Sequence, residues 1–293
     1  MKTLILFLTF FITEISYSQT FSEEINDKIH NGEVGKAEDL LKKKLESQPN
    51  DIYSLNLLGD IYSFDKKWDN AIDCYKKLVE LKPNNADYNF KYGGALGMKA
   101  LSVSKVQAIV YVSDIKTYLE KTLSLNTNHI EARRALVELY IKLPGFLGGD
   151  EDRAKALSEQ LESISKVDFY LAQAFILKEG GSLSEAKDIY QNAFKLYNQL
   201  PDSKKRNSLN YELGKIAAEM DIQPTYGLRL LDTYIKKYSY KDIYSLEWAY
   251  LRKAQIQADQ RNKVEAHAAI DQALSINNQF KEGHQERRRI QNL

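Results

Sequence analysis

The chain has 293 residues, 28% of them charged and 43% apolar, ordinary proportions for a soluble globular protein. Its 41 basic and 40 acidic residues leave a formal charge of +1, which excludes a global field drawing the whole chain to nucleic acid or an anionic membrane. At this length a single compact core is near its size limit, whereas a stack of small repeats has no such limit.

At the amino terminus, Lys2 precedes a short apolar run from Leu4 to Ile12, and Ser16-Tyr17-Ser18 stand before Gln19. A basic residue, an apolar run too short to span a bilayer and small residues at the cleavage positions predict a signal peptide over residues 1–18, cut between Ser18 and Gln19. The mature chain, 19–293, is expected as a single α-helical domain, exported and either periplasmic or secreted. Cys74 is the sole cysteine, so no lipid anchor on a cysteine after the apolar run and no internal disulfide are expected. Cys74 reads as a semi-buried small hydrophobe rather than a reactive thiol. No later apolar stretch approaches the length of a membrane span.

Residues 20–49 read as a degenerate first helical hairpin, with Ile25 and Ile29 in its first helix. Asn31-Gly32 turns the chain, and Ala37, Leu41 and Leu45 line the second helix before Pro49. The next stretch, 52–85, is far more regular. Leu55, Leu58 and Tyr62 make one helical stripe; Gly59 and Ala71 are small where two antiparallel helices cross; Tyr75 and Leu78 follow at helical spacing, and Pro83 closes the unit. These residues fit the 34-residue pattern W-x2-L-G-x2-Y, then Ala, an aromatic and Pro, so residues 52–85 resemble the tetratricopeptide repeat family. One such unit cannot bury its own apolar face, which predicts neighbours on either side.

The third unit, an extended hairpin over 86–127, repeats the first-helix signature with Tyr88, Tyr92, Gly93 and Leu96, but its second helix arrives about ten residues late, around Ser113–Leu125. The extra residues, within KALSVSKVQAIVY, contain no Pro or Gly and keep an apolar rhythm, predicting a protruding hairpin rather than a loose loop. The fourth unit has Leu136, Val137 and Tyr140, then the Pro-Gly-rich loop 143–150, then a helix over 151–165 with Asp150 as its N-cap. Unit five, 167–201, is the second strong repeat. Unit six carries Leu213-Gly214, Pro224, Gly227, Leu231 and Tyr234, and unit seven Tyr250, Ala254, Ala266, Ile270 and Ala273. A polar helix from Gln279, with Arg287-Arg288-Arg289, caps the end. The fold expected is all-α: a right-handed superhelical solenoid of about seven antiparallel helix–turn–helix units with a concave inner face.

Catalytic templates are missing. The sequence has no H-E-x-x-H, no phosphate-binding G-x-x-x-x-G-K-[ST] and no G-x-S-x-G elbow, and its four histidines fall in different units. No catalytic residue, metal site or cofactor is expected, and the chain is read as a non-enzyme. The glycines of 143–150 could offer backbone N–H groups to an anion, but Asp150, Glu151 and Asp152 oppose one, which favours a tight turn. First-helix residues outside the packing stripe supply the lining of a concave groove: Tyr53, Asn56, Asp60, Phe90, Arg134, Glu138, Tyr211, Lys215 and Trp248. Such a mixed aromatic and polar lining suits an extended peptide or a protein helix.

More narrowly, Tyr92-Gly93-Gly94-Ala95-Leu96-Gly97 with its lengthened hairpin, then Pro144-Gly145, Gly148-Gly149-Asp150 and Arg153-Ala154, is similar to a group of exported bacterial tetratricopeptide proteins. The resemblance implies a scaffold in the cell envelope holding an unidentified protein or peptide partner. The alternative it leaves open is a ligand-binding accessory component of an envelope uptake system.

Overall fold

The structure, a computed structural model, describes residues 21–29 and 31–293. The expected signal peptide and its Ser18/Gln19 cleavage site lie outside the described residues. All regular structure among the described residues is helical. The helices are α1 (21–29), α2 (Val34–Ser47), α3 (Ile52–Phe64), α4 (Trp68–Leu81), α5 (Ala86–Ser102), α6 (Lys105–Leu125), α7 (Ile130–Lys142), α8 (Glu151–Glu159), α9 (Lys166–Glu179), α10 (Leu183–Gln199), α11 (Asn207–Met220), α12 (Pro224–Lys236), α13 (Leu246–Asp259), α14 (Lys263–Ile276) and α15 (Lys281–Gln291). They form a helical solenoid of repeated antiparallel hairpins, which separates into two compact units, one through Pro83 and one over Asn84–Leu293.

In the first unit, Ile25, Ala37, Leu41, Leu55, Leu58, Tyr62, Ala71, Tyr75 and Leu78 are all buried. Pro83 is exposed and follows the end of α4, which it terminates. Gly59 has to be glycine because a Cβ there would stand 2.4 Å from Cε1 of Tyr75. The Tyr75 hydroxyl then donates to Asp60 at 2.7 Å, so the ring that fills the glycine notch is fixed at both ends. Asp51 caps α3 by accepting from the Ser54 N–H at 2.8 Å. Burial pushes the Cys74 thiol up to about 11, which leaves it protonated and packed at neutral pH.

Four turns from a first helix to its second share one device: the residue two before the second helix is left-handed. These are Gly32, Lys66, Gly181 and Arg261, with φ of 75°, 58°, 90° and 61°. The turn between α5 and α6 abandons it, since Val103 and Ser104 are both extended. The Ser104 side chain accepts from the Gln107 N–H, and the Gln107 side chain reaches back to the Ser104 N–H, completing a capping box. That cap starts α6 at Lys105, earlier than the expected Ser113, so the extra residues are absorbed as helix on both arms.

A second boundary also moves. The helix expected over 151–165 ends at Glu159, and residues 160–164 form turns before Ser165 begins α9. Ser165 serves as an N-cap there, accepting from the Asp168 N–H, and so cannot continue the preceding helix.

In the second unit the first helices lie side by side, α7 against α9, α11 against α13 and α13 against α15. One apolar core runs from Val167 and Leu171 to Ala249 and Ile256; another joins Leu251, Ala254, Ala266 and Ile270 to Phe280 and Ile290. Ile290 is fully buried, and with Gly283 and Glu286 it forms the side of α15 that packs on the array. Two of the three arginines of α15 are paired, Arg287 with Asp271 at 2.8 Å and Arg289 with Asp259 at 2.6 Å.

Candidate functional site

The expected lining residues divide between the units. Tyr53, Asn56 and Asp60 are on α3 in the first; Phe90, Arg134, Glu138, Tyr211, Lys215 and Trp248 are on α5, α7, α11 and α13 in the second. On α3, Tyr53 meets the Phe21 ring edge-on at 6.5 Å, and Asp60 is engaged by Tyr75. Asn56 is half-buried. Phe90 packs on the His129 ring at 4.5 Å. His129 caps α7, its Nδ1 accepting from the Ala132 N–H at 3.2 Å, which requires the ring to be neutral.

The centre of the second unit is a cluster of charges around Arg134. Its Nη1 donates to Glu212 at 2.7 Å and to Asp168 at 3.3 Å, and its Nη2 donates to the other Glu212 oxygen. One guanidinium therefore ties α7 to both α9 and α11 through a bidentate fork that lysine could not reproduce. Asp168 has no exposed side-chain surface, and Arg206 reaches it with bonds of 2.7 and 2.6 Å while also donating to Glu131 at 2.7 Å. Burial alone would raise the Asp168 carboxyl, but the positive charges of Arg134 and Arg206 overcome it and hold it below the usual carboxylate range.

Beyond this cluster the face continues along α11 and α13. Lys215 lies 3.9 Å from Glu219, which accepts from Arg252 at 2.9 Å, and the Arg252 guanidinium sits 5.7 Å from the Trp248 ring centroid. Glu138 is exposed on α7. Trp248 is half-buried, with its ring edge-on to Phe280 at 4.8 Å.

Tyr211 requires a correction. It is 2% exposed, stacked under Tyr244 at 4.2 Å with an interplanar angle of 15° and packed against Tyr234 at 5.2 Å. The segment between α12 and α13 folds over it, so Tyr244, 43% exposed, presents the ring that Tyr211 was expected to present. Arg134 also changes role: its donors are committed to Asp168 and Glu212, which makes it the lock of the face rather than a free contact. Glu212, Asp168, Arg206 and Tyr244 are the residues the sequence reading missed. Glu212 is 78 positions from Arg134, and no local pattern links two residues so far apart.

The loop 143–150 does not form an anion cradle. Its N–H groups are used internally: Gly148 to the Gly145 carbonyl, Gly149 to Pro144 and Asp150 to Tyr140. Gly149 is obligatory, because a Cβ would stand 1.8 Å from the Leu143 carbonyl oxygen. Asp150 caps α8 as expected, accepting from the Arg153 N–H at 2.9 Å. Among the described residues, no group of three or more His, Cys, Asp or Glu could hold a metal ion, and no helix is long and apolar enough to cross a membrane.

Residues 52–85 match the family model of the tetratricopeptide repeat. A tetratricopeptide repeat protein from Parabacteroides merdae superposes with a TM-score of 0.54 at 15% identity, covering 93% of this chain and 98% of that one. The solved structure of the MamA protein aligns with 60% of this chain and 90% of its own, at 23% identity and a TM-score of 0.48. Intraflagellar transport protein 70A of Xenopus tropicalis is 27% identical over 124 residues, which is 40% of this chain. The match spans only 19% of that protein's length. Repeat sequence and fold together define a helical-repeat protein. One unit of the chain, 52–85, carries the tetratricopeptide repeat in its sequence, and the chain shares its helical-repeat fold with a tetratricopeptide repeat protein.

Proposed function

We propose that the protein is a non-enzymatic scaffold of the bacterial cell envelope that holds a protein or peptide partner on the first-helix face of its second unit. The observation carrying this reading is the character of that face. Glu138, Lys215, Glu219 and Arg252 alternate in sign beside Trp248 and Tyr244, a polar and aromatic surface suited to an extended peptide with charges of both signs. An uptake component that binds an apolar small molecule would instead need a face of apolar side chains. Export rests on the signal-like residues 1–18.

The experiment is a crosslinking capture from an envelope fraction, comparing the wild-type protein with a Glu138→Lys, Lys215→Glu variant. Both positions retain solvent contact, so the variant should fold normally. The same discrete partner should be recovered with wild type and lost with the variant. Recovery of that partner equally by both would reject the face as the binding surface. Amino-terminal sequencing of protein isolated from an exporting host should begin at Gln19, and a sequence beginning at Met1 would reject export.

A further inference from the structure

Several buried tyrosines of this chain give their hydroxyls a partner. Tyr75 donates to Asp60 at 2.7 Å, Tyr140 to Glu120 at 2.6 Å, Tyr197 to Asn210 at 2.8 Å and Tyr234 to the Tyr244 carbonyl. Tyr190 on α10 does not. Its side chain, in a residue only 4% exposed, belongs to the apolar core that runs from Val167 to Ile256. Yet its hydroxyl hydrogen-bonds to no group among the described residues. A buried phenol normally satisfies its polar end, so an open one needs an explanation.

The charges around it supply one. Burial raises the Tyr190 pKa, and Glu212, Glu219 and Glu138 raise it further against the opposing field of Arg134. Those four residues lie on α7 and α11, so the hydroxyl of this second-helix residue reaches through to the first-helix face. Tyr244 arrives at the same place from the segment before α13. Burial raises its pKa too, followed by Glu212 and Glu138, and its hydroxyl also has no hydrogen-bond partner among the described residues. One face of its ring lies on Tyr211, while the residue stays 43% exposed.

The carboxylates here are not equivalent. Glu212 is held by Arg134, and Glu219 faces Arg252 and Lys215. Glu138, one turn along α7 from Arg134, is exposed and makes no ion pair among the described residues. A cation placed beside it would gain the Glu138 charge, the two hydroxyl oxygens as acceptors and the open side of the Tyr244 ring. An anion would meet three carboxylates instead. An apolar group would cover the Tyr190 hydroxyl and Glu138 without pairing either.

We infer that Tyr190, Tyr244 and Glu138 form a seat for a lysine or arginine side chain of the bound peptide. The inference rests on the proposed peptide-binding face and names what that face recognises.

The test uses the full chain and an alternating glycine–lysine octapeptide amide, labelled with fluorescein at its amino terminus and followed by anisotropy. The counterparts are the glycine–glutamate octapeptide and the lysine peptide acetylated on every side chain. Wild type should bind the lysine peptide at least about tenfold more tightly than either. Glu138→Gln should weaken that binding about tenfold, whereas Glu265→Gln, the same loss of charge on α14, should leave it unchanged. Tyr190→Phe should weaken it several-fold and leave urea unfolding unchanged, because the hydroxyl it removes bonds to no described residue. A hydroxyl with a purely structural role would give the opposite pair of results. Equal affinity for the three peptides, equal effects of Glu138→Gln and Glu265→Gln, or full binding by Tyr190→Phe would each overturn the inference. Its failure is separable from failure of the face. Loss of the captured partner with Glu138→Lys, Lys215→Glu, together with lysine-peptide binding untouched by Glu138→Gln, would keep the face and reject the seat.

Discussion

The α3–α4 hairpin and the α7–α9–α11 face are both repeat structure, yet they are held in different ways. In α3–α4, stability is local and apolar: the Tyr75 ring lies in the notch left by Gly59, and its hydroxyl is fixed by Asp60 fifteen residues away. Across α7, α9 and α11 the apolar packing is joined by Arg134, whose carboxylate partners come from two other helices. Apolar packing between neighbouring helices repeats wherever the pattern repeats. The Arg134 pair joins residues that no repeat pattern links, and gives the stack an individual feature. The nearer a hairpin comes to the family pattern, the less it says about what this protein does.

That contrast can be broken at either end. The largest effect is expected at Arg134. Arg134→Met leaves Glu212 and the buried Asp168 short of a partner and should cost about 3–5 kcal/mol in urea unfolding. Arg134→Met with Glu212→Met should lose clearly less, because fewer uncompensated charges remain. A double variant as unstable as the single would show that packing, not charge, holds this face.

Next comes the apolar hairpin. Gly59→Leu should destabilise by about 1–3 kcal/mol, since even a Cβ at that position strikes the Tyr75 ring. Gly93→Ala is the sharper comparison. Its Cβ would meet the Tyr118 Cβ at 3.2 Å, a contact that a small shift can relieve, and alanine is favoured in a helix. That variant should stay within about 1 kcal/mol of wild type. If Gly59 tolerates leucine with no change in thermal stability, the register assigned to the repeats is wrong.

A smaller effect should follow from Tyr75→Phe, which removes the hydroxyl from Asp60 and Ser63 and should cost about 1 kcal/mol, seen as a lower urea midpoint with the slope unchanged.

The smallest expected effect concerns caps and pH. Asp51 caps α3 with a carboxylate, whereas α7 is capped by His129, which must be neutral to accept. Burial lowers the His129 pKa beneath its ordinary 6.5, outweighing the opposing fields of Glu131 and Asp87, while nearby Arg133 lowers it further. The unfolded chain therefore binds more protons than the folded one. This contribution is complete above pH 6.5 and is lost as the pH falls through the folded value. Hydrogen exchange at the first amides of α7 should quicken as the pH falls below 6.5, relative to the intrinsic rate, while α3 should show no such change. In His129→Asn, which keeps an acceptor at the cap, α7 should lose that pH dependence.

Much of the architecture was legible because repeat packing is a local problem. Leu55, Leu58, Tyr62, Ala71, Tyr75 and Leu78 are buried as their spacing implied, and the lengthened hairpin at 86–127 was visible as ten surplus residues without Pro or Gly. The start of α6 was misplaced by eight residues, although its signal, Ser104 with Gln107 three positions on, is written in the sequence.

The face was read only in outline, because helical spacing says which residues point inward but not what stands opposite them. By itself the sequence determined the hairpins, their small-residue notches and the terminal cap, since each depends on residues close along the chain. Only the tertiary structure could pair Arg134 with Glu212 across 78 residues and lay Tyr244 over Tyr211. These outcomes depend on which side chains meet once the helices are stacked, and neither helix period nor composition encodes that meeting.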